Sequence, residues 1–144
     1  MENISPHVSY AEATHTSTGL PNIPGPAELK AMKALAWHVI EPIRSEFKQP
    51  LRINSMFRSV AVNKKVGGAR NSQHVKGEAV DLAIGRAEFE WIRANLEWDS
   101  MIWEFGNSLE PAWIHISYSL KHNRREILRA VKTPKGQTLY IPMA

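Results

Sequence analysis

Two histidines, an aspartate and a glutamate carry the chemistry this sequence can offer. The stretch NSQHVKGEAVDLAI sets His74 and Asp81 seven residues apart, with small and flexible residues between them. Further on, MIWEF and WIHISY supply Glu104 and His115. Alternate residues of a strand face opposite sides of its sheet. In AVDLAI, Val80, Leu82 and Ile84 make an apolar face and leave Ala79, Asp81 and Ala83 on the other. Met101, Trp103 and Phe105 oppose Ile102 and Glu104 in the same way, and Ile114 and Ile116 oppose Trp113, His115 and Ser117. If the three apolar sets cover one core, Asp81, Glu104 and His115 emerge together on the opposite face. His74 joins them from the preceding loop.

Two histidines and an aspartate around one point make a three-ligand zinc site with a position left open for water. Such an ion lowers the pKa of water and polarises a carbonyl oxygen. A nearby carboxylate that is not a ligand would carry the proton, and Glu104 is on the correct face. Gly77 and Ala79 let the chain turn tightly between the two ligands. The same residues admit plainer readings. Asp81 could be satisfied by a salt bridge to Arg58 or Lys76, and His115, flanked by Trp113 and Ile114, could be a hydrogen-bonded core histidine. A partner for Asp81 is required either way, because an unpaired carboxylate inside an apolar strand is expensive.

The elements that must position these groups follow from periodicity. Residues 1–26, rich in Ser, Thr, His and Pro, read as an irregular arm with one short helical turn at Tyr10–Thr14. An amphipathic helix follows over 27–47, with Leu29, Met32, Ala36, Val39, Ile40, Ile43 and Phe47 on one stripe. Pro42 is expected to kink or break it near its end. His38 reads as a packed or surface residue at the stripe's edge. LRINSMFRS reads as a strand leading into a flexible, cationic loop, VAVNKKVGGARNSQ, with its Gly67-Gly68 pair. AVDLAI is a strand, and RAEFEWIRANL is a helix with Phe89, Ile92 and Leu96 inward. MIWEF and WIHISY form an antiparallel hairpin, and a last hairpin turns at Pro134-Lys135-Gly136. The fold class is α+β, a small mainly antiparallel sheet with helices packed on one face and a zinc site on the other.

The totals set outer bounds. The 144 residues fit one domain, 1–144, and are enough to bury a core without staples. Cysteine is absent, so disulfides and thiolate metal sites are excluded. A net charge of +4 favours loose association with an anionic polymer, without choosing among nucleic acid, membrane and cell wall. The N-terminus has neither a basic leader nor an apolar h-region, and no apolar run reaches membrane-spanning length. The expectation is a chain made in the cytoplasm and not inserted in a membrane.

Ser72-x-His74-x-x-Gly77-x-Ala79-x-Asp81 resembles the SxHxxGxAxD signature of the zinc D-alanyl-D-alanine carboxypeptidase family. That family also includes vancomycin-resistance dipeptidases and phage endolysin peptidases. The resemblance is nearest to its short, single-domain branch, common in phages and prophages. It extends through ISPHVSYAEATHT, EPIRSEF, INSMFRSVAVNKKVGGARNSQH, MIWEFG and WIHISY, nearly the whole chain. It implies a peptidase that hydrolyses peptidoglycan stem peptides next to a D-amino acid, acting on the cell wall after release. His74, Asp81 and His115 would be the ligands of one zinc per chain. Arg58 sits where the family has an arginine near the substrate, to hold a carboxylate or the developing oxyanion; a loop-anchoring ion pair is the plainer role.

Ser72 would support the loop or contact substrate, Gln73 could reach the same pocket, and Trp113 and Tyr118 could line the groove or pack in the core. One departure stands out. Members of the wider family place the catalytic Asp or Glu three residues before the last zinc-binding histidine, and here that residue is Ala112. Glu104 from the neighbouring strand would then be the base, with Glu110 in the hairpin loop as the alternative, or the protein is impaired and only binds cell wall. His122 lies in the polar turn KHNRR and reads as solvent-exposed, and His7 and His15 belong to the arm. Arg70, Lys76, Arg124, Arg125 and Arg129 are too dispersed for a nucleic-acid surface. A monomer is expected.

Overall fold

The computed structural model describes residues 2–143. It is α+β: five α-helices and one π-helical turn accompany a six-stranded sheet. Helix α1 (Tyr10–Ala13) is a single turn capped by the Ser9 hydroxyl, which accepts from the Glu12 N–H. Helix α2 (Pro26–Leu35) starts where Pro26 presets φ and the Glu28 carboxylate accepts from the Gly25 N–H. The helical run is not broken at Pro42. It widens into a π turn over Ala36–Ile40 and continues as α3 (Glu41–Phe47). The Glu41 N–H reaches the Ala36 carbonyl five residues back. This wider turn relieves the clash between a proline ring and the carbonyl four residues earlier.

Strand β1 (Ile53–Ser55) is shorter than its sequence suggests. The expected loop after it contains helix α4 (Val60–Lys65), capped by the Ser59 hydroxyl accepting from the Val62 N–H at 3.2 Å. Ser at an N-cap is a legible signal, outweighed in the sequence by the glycine pair just beyond. Strand β2 (Ala79–Leu82), helix α5 (Arg86–Asn95) and strands β3 (Ser100–Glu104), β4 (Trp113–Ser117), β5 (Glu126–Lys132) and β6 (Thr138–Pro142) complete the chain. The sheet order is β1-β2-β4-β3-β5-β6, antiparallel throughout except for β3 with β5.

Register fixes the two faces. Val80 pairs with Ile116 and Leu82 with Ile114, while Met101 pairs with Ile116 and Trp103 with Ile114. All six are buried in one core with Met32, Leu35, Ile40 and Ile43 of the helical run and with Phe89 and Ile92 of α5. Phe105 departs from its expected place on this core face. Its φ is 54° and that of Gly106 is 65°, so the chain turns over after Glu104. The ring then lies beside Trp113, with centroids 5.5 Å apart, on the opposite side. The arm is more than a tail: Ile4, Val8 and Ala13 belong to the core, and Glu41 accepts from Ser5, the His7 backbone and the His7 ring.

Candidate metal centre

On the face opposite the core, Asp81 of β2 pairs directly with His115 of β4, and His115 with Ile102 of β3. Directly paired residues point to the same side. Asp81 and His115 therefore meet without distortion, with His115 Nδ1 3.0 Å from Asp81 Oδ1. His74 Nε2 approaches the other carboxylate oxygen, at 3.3 Å. All three residues are buried, and their candidate ligand atoms lie within 4.8 Å of one another.

His74 is aimed by its surroundings. Its Nδ1 sits 2.6 Å from the Met56 carbonyl, which can only accept, so Nδ1 carries a proton and the ring is held with Nε2 turned towards Asp81. The backbone carbonyl of His74 accepts from the N–H groups of Arg58 and Gly77. Gly77 has φ 74°, and a Cβ there would stand 2.5 Å from the Glu28 carbonyl oxygen. Only glycine lets the loop that carries His74 turn this close to α2.

His115 is aimed by a chain of side chains that the sequence did not reveal. Arg124 donates to Asp99 through Nε and Nη2, both at 3.0 Å, and Asp99 accepts from Gln73 Nε2 at 2.8 Å. A carboxylate facing the amide nitrogen leaves Gln73 Oε1 towards His115 Nε2, 3.5 Å away. In the sequence Arg124 reads as one of several dispersed cations, and nothing marks Asp99. The pairing spans 25 residues and has no local signature.

The segment bearing Met56 and Arg58 is clamped by the arm. Asn22 Nδ2 donates to the Phe57 and Thr14 carbonyls at 3.0 and 2.9 Å, and its Oδ1 accepts from the Ser59 N–H at 2.6 Å. Arg58 in turn donates to the Ser55 hydroxyl at 3.0 Å, to Asn63 Oδ1 at 3.3 Å and, at longer range, to Asp81 Oδ2 at 3.5 Å. It is an anchored cation at the edge of the trio.

Electrostatics separate the two carboxyls. Burial pushes Asp81 up, but hydrogen bonds from His115 and His74, with their charge, outweigh it and hold the carboxyl well below the usual carboxylate range. For Glu104 burial prevails: opposed by His115 and Arg58 and helped by Asp81, it raises the carboxyl to about 7. One carboxyl is thus permanently charged, while the other can take and release a proton near neutrality, as a general base must.

Arg58, Ser72, Gln73, His74, Asp81, Glu104, Trp113 and His115 all line one groove of about 720 Å³. Glu110 lies elsewhere, its Oε2 accepting from the Arg86 N–H at 3.0 Å where α5 begins. Tyr118 stacks on the exposed His38 ring at 4.6 Å and does not line the groove. His122 and His15 are exposed.

The donor set suits a borderline-soft divalent cation. Donors about 2.0–2.1 Å from a tetrahedral ion stand roughly 3.3 Å apart, close to the 3.0 and 3.3 Å separations here. Imidazole nitrogens and carboxylate oxygens that converge in a buried site need positive charge between them, a proton or a metal cation, because bare lone pairs would repel.

A model of the peptidase M15 family matches residues 7–117. Among curated proteins, the zinc D-Ala-D-Ala carboxypeptidase of Streptomyces albus G is 49% identical over 41 residues. That stretch is 28% of this chain and 16% of the relative, so only a small part of the relative's length is matched.

Proposed function

The chain belongs to the peptidase M15 family, and from that premise we propose that it is a zinc-dependent peptidase acting on peptidoglycan stem peptides. The cut bond would be an amide next to a D-amino acid, by DD-carboxypeptidase or cross-link endopeptidase action. His74, Asp81 and His115 would hold one zinc. The observation that carries this reading is the buried His–Asp–His trio on the floor of a groove with a separate carboxylate raised to about 7. The zinc relative's matched stretch supports the choice of metal.

Zinc bound there would supply Lewis acidity to the scissile carbonyl and to the attacking water. Glu104, in the same groove, takes the water's proton and passes it to the leaving amine nitrogen. Arg58, held by Ser55 and Asn63, presents fixed positive charge to a substrate carboxylate or to the oxygen that gains charge. Trp113, paired with Glu104 across the hairpin, forms part of the wall that keeps bulk water from the base. The net charge of +4 suits an anionic wall. A phage or prophage lysis enzyme, waiting in the cytoplasm until the membrane opens, is the setting this reading favours.

Ala112 favours a second reading, a metal-retaining module that binds wall without cutting it. One experiment separates the two: metal content and release of new amino groups from purified peptidoglycan, for wild type, His74→Ala and Glu104→Ala. The peptidase reading expects about one zinc per wild-type chain, zinc loss in His74→Ala, and zinc without activity in Glu104→Ala. Wild type that carries zinc but cuts no wall type would leave the binding module.

A further inference from the structure

The family match ends at residue 117, yet the groove does not. Strands β5 and β6 lie beyond the match and supply Leu128 and Tyr140 to its lining. Register explains how. Glu104 pairs with Ala130 across β3–β5, and Ala130 with Tyr140 across β5–β6. The three side chains therefore share the site face, and the middle one is a buried alanine. The small alanine in the middle leaves room for the Tyr140 ring on the Glu104 side, and both residues line the groove. In the next row Ile102 pairs with Leu128, continuing the line that starts at Asp81 and His115.

Sheet order places these groups relative to Arg58. Arg58 follows β1 at one edge of the sheet, Tyr140 sits on β6 at the other, and the His–Asp–His trio lies between. With strands about 4.8 Å apart, β4 to β6 spans roughly 14 Å, the length of about four extended peptide residues. If Arg58 receives a carboxylate on the leaving side, the peptide's amino-terminal part must run over β3, β5 and β6.

We propose that Tyr140 and Leu128 form an acyl-side subsite that reads the two or three residues preceding the cut bond, so that the substrate is an extended peptide and not a dipeptide. The proposal rests on the peptidase reading for the direction of the chain. Leu128 with Ile102 offers an apolar shelf for a small aliphatic side chain. Tyr140, 55% exposed, offers a ring face and a hydroxyl. Burial and the charges of Glu104 and Asp81 raise its pKa, keeping the phenol protonated as a hydrogen-bond donor to a peptide carbonyl.

The test uses the zinc-loaded chain and two measurements. The first is the Kd of N-acetylated acyl-product peptides of one, two and three residues ending in a single D-Ala, which cannot be cut as DD-carboxypeptidase substrates. The second is kcat/KM for the same series extended by a second D-Ala. Wild type should bind the three-residue peptide about tenfold tighter than the one-residue peptide. Tyr140→Ala should flatten that dependence, and Tyr140→Phe should weaken binding of the longest peptide about two- to tenfold. Leu139→Ala, on the opposite face of β6, serves as the control and should keep the wild-type profile. Equal wild-type affinity for all lengths, or undiminished length dependence in Tyr140→Ala, overturns the proposal. Length-dependent binding without any wild-type cleavage would instead overturn the peptidase reading and leave the subsite standing.

Discussion

Replacing Gly77 with alanine tests whether the ligand turn is held by close approach to α2. Two costs combine. An L-residue at φ 74° sits in the left-handed region, at about 1–2 kcal/mol. The new Cβ would also stand 2.5 Å from the Glu28 carbonyl oxygen and 3.0 Å from Met32 Cγ. Neither the carbonyl, inside the first turn of α2, nor the turn itself can yield without moving backbone, and overpacking of this kind costs about 1–3 kcal/mol. The sum is about 2–5 kcal/mol. With an unfolding entropy near 2.1 cal/mol/K per residue, a chain of this length loses about 3 °C of Tm per kcal/mol, so the drop should be roughly 7–16 °C.

Gly136 isolates the steric part. It has φ 82° with nothing within 4 Å of its would-be Cβ, so Gly136→Ala should show the backbone cost alone, roughly 3–6 °C. Thermal unfolding of the metal-free proteins by circular dichroism gives both values. A chelator-competition titration then gives zinc affinity, which should fall about 10–100-fold in Gly77→Ala, because relief of the clash moves the His74 loop off its supports. If Gly77→Ala melts no lower than Gly136→Ala, the close approach to α2 is not what fixes the turn.

Three further substitutions probe the supports and the base. Asn22→Ala leaves the Phe57 and Thr14 carbonyls and the Ser59 N–H without their side-chain partner, and should cost about 2–4 kcal/mol in urea unfolding; a loss within 0.5 kcal/mol, about the scatter of neutral surface changes, would mean the arm does not clamp the site. Asp99→Ala frees the Gln73 amide to rotate and should weaken zinc binding about 10–100-fold at unchanged secondary structure; an unaltered Kd removes Gln73 from the positioning of His115. The base must be ionised to accept a proton, so activity is present above its pKa and lost as pH falls. Burial raises Glu104 from 4.5 to about 7, and a bound cation pulls it back, so the acid limb of kcat/KM should fall between those values. Glu104→Gln should abolish that limb and lower the rate about 10²–10⁴-fold; a limb that persists in this variant belongs to another group.

Period-2 alternation was enough to read the site face, because a strand's register is exact: once Val80, Leu82, Ile114 and Ile116 are placed inward, Asp81 and His115 have no choice of side. The same logic failed at Phe105, where a positive φ ends the alternation one residue early. It also could not see α4, whose six residues lack a full amphipathic stripe. Long-range polar supports were out of reach for a different reason. Asn22 to Ser59 spans 37 residues and Gln73 to Asp99 spans 26, and nothing in local composition marks either end. The candidate ligands stand out in the sequence because chemistry restricts their types; the groups that aim them can be any donor or acceptor that topology brings near.

That distinction bears on Ala112. A carboxylate three residues before His115 would sit just outside the first residue of β4, beside Trp113. Trp113 pairs with Glu104, and the Ala112 N–H donates to the Glu104 carbonyl at 2.9 Å. Position 104 therefore faces position 113, and position 112, just before β4, adjoins it through that backbone hydrogen bond, about one inter-strand spacing away. Moving a carboxylate from one to the other shifts its backbone origin by about 5 Å, a distance within the reach of a glutamate side chain. If Glu104 is the base, a carboxylate from β3 occupies the groove while leaving 112 free to be alanine. Glu110, engaged where α5 begins, has no comparable route. On this reasoning the double variant Ala112→Glu with Glu104→Gln should recover part of the activity that Glu104→Gln loses. A double variant as inactive as Glu104→Gln, with zinc retained, would show that the two positions are not exchangeable.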